Sequence, residues 1–120
     1  MPGLSILSIS KSFGSTKALS DISFEVKPKE VVALLGPSGC GKSTLLSLIA
    51  GLDSPDAGSI LWDGTSLVNT PPHQRNFGLM FQDFALFPHL NVEANVAFGL
   101  RLAGLPAKEI KQRTGQVLDL

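Results

Sequence analysis

Gly36-Pro37-Ser38-Gly39-Cys40-Gly41-Lys42-Ser43-Thr44 is the stretch on which the reading of this chain turns. It meets the pattern G-x-x-x-x-G-K-[ST] at Gly36, Gly41, Lys42 and Ser43. Each position has a physical cause. Glycines let the backbone curl tightly and turn its N–H groups towards a phosphate chain. A helix that follows directs its positive N-terminus at the same anion. Lys42 then sets an ammonium against the β- and γ-phosphates, and the Ser43 hydroxyl ligates Mg²⁺.

The flanks suit that pattern better than a glycine-rich turn ahead of a solvated helix. Val31-Val32-Ala33-Leu34-Leu35 is a short apolar, β-branched run, predicted as a strand buried on both faces. After the loop, Leu45, Leu46, Leu48 and Ile49 recur at helical spacing, and Gly51 stands where a helix C-cap belongs. Strand, loop and helix therefore come in the order a phosphate cradle needs.

The 120 residues, 43% of them hydrophobic, suffice for one small domain and not for two. Ten basic and ten acidic residues balance to a formal net charge of zero. No Lys/Arg cluster is dense enough for a nucleic-acid footprint, so no nucleic-acid partner is expected. No apolar run approaches the roughly 18 residues of a membrane span. Met1 to Ser10 lacks the basic and apolar regions of a signal peptide. The single cysteine, Cys40, cannot form an internal disulfide, which fits a cytoplasmic location.

Outward from the loop, residues 4–10 alternate loosely and residues 22–26 cleanly, predicting two strands. Lys27-Pro28-Lys29-Glu30 turns the chain into 31–35. Residues 59–62 predict another strand, and Asp63-Gly64 a hairpin leading to 66–68, with Trp62 in the hairpin core. Thr70-Pro71-Pro72 interrupts the chain, and Phe77 to Phe81 predict a second buried strand. Asn91 predicts the N-cap of a helix over 92–102, ended by Gly104. Pro106 opens the next helix, where Ile110, Thr114, Val117 and Leu118 share one face. The fold class expected is α/β: a small antiparallel β subdomain on a parallel-sheet core.

Spacing narrows the family. Ser10-Lys11-Ser12-Phe13-Gly14 precedes the loop, and Met80-Phe81-Gln82-Asp83-Phe84-Ala85-Leu86-Phe87-Pro88-His89-Leu90-Asn91-Val92 follows it by about forty residues. This arrangement resembles the ATP-binding subunits of ABC transporters, most of all importer ATPases of the polyamine, ferric-iron and sulfate type. The resemblance covers Leu4 to Leu120. It implies a P-loop NTPase core, with 31–57 and 76–82 in the core, 1–30 and 58–70 in the antiparallel β subdomain, and 83–120 as the Q-loop and start of the helical subdomain. It implies ATP and Mg²⁺ as cofactors. Phe13 matches the aromatic that stacks on adenine, where the family most often has Tyr; Phe keeps the π-face and loses the hydroxyl. Gly36, Pro37, Ser38, Gly39, Cys40, Gly41, Lys42, Ser43 and Thr44 match the nucleotide-binding Walker A loop. Gln82 matches the Q-loop glutamine, which ligates Mg²⁺ and, with Lys42, serves catalysis. An amide suits that place because it binds metal or water without a competing charge.

The same resemblance implies a membrane permease and a second ATPase subunit as partners, with the chain peripheral on the inner face of the membrane. The apolar stretch Phe84, Leu86, Phe87, Pro88 and Leu90 is expected either to face the permease or to lie beneath its own loop. The family's Leu-Ser-Gly-Gly-Gln signature, its Asp-Glu strand end and its switch histidine do not occur in these residues. The reading is thus of the N-terminal part of an ATPase domain, truncated before the signature motif and expected to be marginally folded alone. A short nucleotide-binding module without turnover is the alternative. An ABC-type ATPase acting on nucleic acid or ribosomes is a third, disfavoured by the neutral charge. His73 and His89 have no second ligand at metal spacing and are expected as loop residues. Cys40 is read as a small space-filler, with a helix-lowered thiol as the other possibility.

Overall fold

The computed structural model describes residues 3–37, 39, 41–81, 83 and 85–120. They fall into two compact units, Met1–Leu79 and Met80–Leu120.

In the first unit, strand β1 (Leu4–Phe13) and strand β2 (Thr16–Val26) form an antiparallel hairpin about Gly14-Ser15. Strand β3 (Ala57–Trp62) pairs with the other edge of β1, and β4 (Thr65–Ser66) closes a sheet of order β2-β1-β3-β4. Both predicted early strands are present and longer than expected. Residues 16–21 hide their strand character because the ladder is irregular there. Ser8 and Asp21 take φ of 50° and 49°. Their N–H groups donate to Ser23 Oγ at 2.7 Å and Ser10 Oγ at 3.0 Å, bulges that break simple alternation. The hairpin signal holds: Asp63 and Gly64 both have positive φ, 48° and 83°, as a two-residue primed turn requires.

Helix α1 (Lys42–Ala50) ends as expected at Gly51. Gly51 has φ 87°, and the Leu52 N–H closes back on the Ser47 carbonyl at 2.9 Å. Leu45 and Leu48 of α1 are buried in one cluster with Ile6, Ile9, Leu19 and Ile60 of the sheet. The helix that starts at the phosphate loop is therefore fixed by the core of the antiparallel sheet. Burying each of these side chains contributes about 1.5–3 kcal/mol.

Three expectations are corrected in this unit. Residues 31–35 form no strand: Val31 is 95% and Leu35 91% exposed, and only Leu34 lies against the core. Residues 77–81 likewise form none, with Phe77 alone reaching the core cluster. A parallel strand needs neighbours on its ladder, and none of the described strands pairs with either run. Trp62 is not hairpin core; it is 45% exposed and meets Phe77 edge-on at a centroid distance of 5.1 Å.

The second unit holds helices α2 (Val92–Leu102) and α3 (Ala107–Leu118), packed on each other. Asn91 caps α2 as expected, its side chain accepting from the Ala94 N–H at 2.8 Å. Gly104, at φ 75°, follows the helix end, and Pro106 precedes α3. On α3 only Thr114 of the predicted face is fully buried; Val117 and Leu118 stay about half exposed. Among the described residues no helix is long and apolar enough to cross a membrane.

Candidate functional site

The glycine-rich loop ahead of α1 is built by what its glycines permit. Gly41 is the N-cap of α1, with φ 95°, and its carbonyl accepts from the Leu45 N–H at 2.9 Å. A Cβ at this position would run into the Ala18 carbonyl oxygen and lie 2.8 Å from Leu19 Cδ2. Only glycine satisfies both the left-handed backbone and the close approach of β2. Gly39 is also left-handed, at φ 81°, and among the described residues nothing lies within 4 Å of a Cβ placed there. Successive turns of this kind aim backbone N–H groups into one concavity.

Lys42 folds back into the loop. Its Nζ donates to the carbonyl oxygens of Gly36 and, at 3.0 Å, Pro37. The ammonium is thus held over the loop rather than extended into solvent. Ser43 and Thr44 fill the first turn of α1, Ser43 exposed and Thr44 half-buried. That turn has no side-chain cap and no acidic residue, so an anion meets no competing carboxylate at the helix terminus. The donor set fits a phosphate chain. An exposed Ser43 hydroxyl beside it fits one ligand of a hard cation, whose other ligands are phosphate oxygens and water. Among the described residues no three His, Cys, Asp or Glu side chains gather as a metal site of their own.

Phe13 is the last residue of β1 and 51% exposed. Its place relative to the loop follows from register. Phe13 pairs with Thr16 and Lys11 with Leu19, while Ala18 and Leu19 abut Gly41. The aromatic ring and the loop's end therefore border the same stretch of β2. Ser38, Cys40 and Gln82 lie outside the described residues. His73 and His89 are exposed, and His89 meets Phe87 at a centroid distance of 6.0 Å.

Three residues with supporting roles escape sequence reasoning. Lys11 bridges Asp53 at 3.3 Å and Asp56 at 3.7 Å. The Ser54 N–H and the Lys11 ammonium hold the Asp53 carboxyl below the usual aspartate range. Arg75 donates to four carbonyls, those of Leu48, Ile49, Leu67 and Thr70, and its burial lowers the guanidinium pKa. In the second unit, Asn95 Oδ1 accepts from the Phe87 N–H at 2.9 Å, and its Nδ2 donates to the Phe87, Leu90 and Asn91 carbonyls. No local pattern marks Lys11 and Arg75, because most of their partners are brought to them by the fold.

Comparison with known proteins bears on the family and the fold. The family model described as ABC transporter matches residues 19–120. The spermidine/putrescine import ATP-binding protein PotA of Methylococcus capsulatus is 51% identical over 116 residues, 97% of this chain and 30% of that protein. The putrescine transport ATP-binding protein PotG of Escherichia coli is 47% identical over 119 residues, 99% of this chain and 32% of that protein. Among solved structures, the post-hydrolysis dimer of the ATP-binding cassette MJ0796 bound to ADP and Pi matches with a TM-score of 0.83 at 28% identity. That match covers 97% of this chain and 56% of the cassette. The chain thus spans about a third of the length of the curated relatives it matches and about half of that solved structure. With a family match over all but its first eighteen residues, the chain belongs to the ABC transporter family.

Proposed function

We propose that this chain is the N-terminal part of the ATP-binding subunit of an ABC importer. The observation that carries the reading is the loop at Gly36–Thr44, with Gly41 wedged against β2 and Lys42 held over the loop carbonyls. In this reading the ammonium of Lys42 meets the β- and γ-phosphates of ATP, and the N–H groups of the loop and of α1 cradle them. Lys42 already lies folded over the loop, so little side-chain freedom is lost when phosphate arrives. Phe13 stacks on the base. Ser43 and Gln82 would hold Mg²⁺, which when bound would supply positive charge to the phosphate oxygens. Gln82 also positions water near the γ-phosphate.

Hydrolysis needs more than this cradle. A group that orients the attacking water and further charges around the γ-phosphate are required. We assign these to the rest of the full-length domain and to a second ATPase subunit. The MJ0796 cassette is described as dimeric, which supports that arrangement. PotA is named as an import protein, which supports import as the direction here. The partner is then a membrane permease, and the chain acts at the cytoplasmic face of the membrane. The solute is chosen by that permease and not by the residues described above.

The reading is tested in proteoliposomes carrying the naturally expressed chain with its permease. ATP turnover coupled to solute uptake, abolished by Lys42→Ala, is expected. Uptake that persists undiminished in that variant would overturn it.

A further inference from the structure

We propose that Lys11 is a positioning residue for base recognition: it occupies one face of the Phe13 ring and sets the ring so that a nucleobase stacks on the other. The proposal rests on the nucleotide reading above and adds a residue to it. Lys11 Nζ lies over the Phe13 ring at 5.3 Å from the centroid, within cation–π range. The two residues stand two apart on β1, hence on the same face of the strand.

The ammonium is not a mobile surface charge. The Lys11 side chain is only 13% exposed, and it donates to Asp53 Oδ1 at 3.3 Å and to the Ser54 carbonyl at 2.8 Å. Asp56, 3.7 Å away, is itself tied to β1. Its Oδ2 accepts from the Ser12 N–H at 2.7 Å, and its own N–H donates to the Ser10 carbonyl at 2.9 Å. Residues 53–56 follow directly on α1 and its Gly51 cap. The anchor of the base platform is therefore the segment that leaves the phosphate-loop helix. Two carboxylates offset the single ammonium, so Lys11 is not a second phosphate ligand. Its effect on binding passes through the ring: a fixed cation behind Phe13 draws electron density from it and orients its open face for stacking.

The test compares Mg-ATP with Mg-tripolyphosphate, which offers phosphates and no base, on the naturally expressed chain. Lys11→Met is expected to weaken Mg-ATP about threefold and to leave tripolyphosphate affinity unchanged. In a Phe13→Ala background the same substitution is expected to change neither. Lys11→Arg, which keeps the cation, is expected to retain the wild-type preference for ATP over tripolyphosphate, and it carries the comparison if Lys11→Met does not fold. Equal weakening of both ligands would show a merely structural role and overturn the proposal. So would an undiminished ATP preference in Lys11→Met, an effect that survives Phe13→Ala, or loss of the preference in Lys11→Arg. Wild-type protein that binds neither ligand overturns the nucleotide reading itself, an outcome distinct from these.

Discussion

Arg75 Nη1 donates to the carbonyl oxygen of Ile49 at 3.0 Å, joining residues 26 apart in sequence at the C-terminal end of the phosphate-loop helix. The same nitrogen reaches Leu48, while Nε and Nη2 hold Thr70 and Leu67 at 2.8 Å each. One cation thereby bonds two of the last carbonyls of α1, those of Leu48 and Ile49, and complements the negative end of its dipole. Gly51 makes room for it, since a Cβ there would lie 2.8 Å from the guanidinium carbon. Arg75→Ala is expected to cost about 2–3 kcal/mol in denaturant unfolding, because several carbonyls lose a charged partner together. Arg75→Lys should recover less than half of that, since one ammonium cannot span four diverging acceptors.

Gly41→Ala combines backbone strain with a clash against Ala18 and Leu19. A loss of about 1–3 kcal/mol in stability is expected from the left-handed backbone alone. Mg-ATP affinity should fall with it, because the cradle opens as β2 is pushed away. Calorimetric titration beside a denaturant melt checks both. Gly39→Ala is strained at the same φ class but meets no neighbour among the described residues, so its stability loss should be the smaller of the two.

Asp53 gives the first unit an acid-sensitive contact. Its carboxyl sits below the ordinary aspartate value, first because the Ser54 N–H donates to it and second because of Lys11. A depressed carboxyl stabilises the fold above its unfolded pKa, and that contribution is lost as pH falls through the folded value. The melting temperature should therefore decline below about pH 5, where the unfolded carboxyl begins to take up protons. Asp53→Asn should show a shallower decline over the same range. Identical slopes for the two proteins would remove Asp53 from this role.

Asn95 organises the loop ahead of α2. Its amide accepts from the Phe87 N–H and donates to three carbonyls of residues 87–91, setting the stretch that presents Phe87, whose ring lies 4.4 Å from that of Phe98. Asn95→Ala is expected to speed hydrogen exchange of the Phe87 amide about tenfold, in line with roughly 1.5 kcal/mol for a lost pair of hydrogen bonds. Asn95→Asp keeps the acceptor for Phe87 and should leave that amide nearer to wild type.

What the sequence made legible depended on how local its cause was. Helix α2, the Asn91 cap and the Asp63-Gly64 turn rest on residues a few positions apart, and the structure matches each. The start of α1 behind a left-handed Gly41 was legible for the same reason, since the loop and the first turn are consecutive in sequence. Residues 16–21 were not, because Ser8 and Asp21 break the ladder at points fixed by cross-strand hydroxyls. The runs at 31–35 and 77–81 carry the composition of buried strands, yet strand formation needs partners that the run itself does not encode. Lys11 and Arg75 were invisible as bridging residues, since a long polar side chain gives no sign of its distant acceptors.

Isothermal titration of Mg-ATP into the naturally expressed chain and its Lys42→Ala variant tests the central claim most directly. The wild-type chain is expected to bind with measurable heat, and the variant to bind at least about tenfold more weakly, because it loses the charge-assisted contact to the β- and γ-phosphates. Equal affinity in the two proteins, or no binding by the wild type, would contradict the assignment of Gly36–Thr44 as the nucleotide cradle.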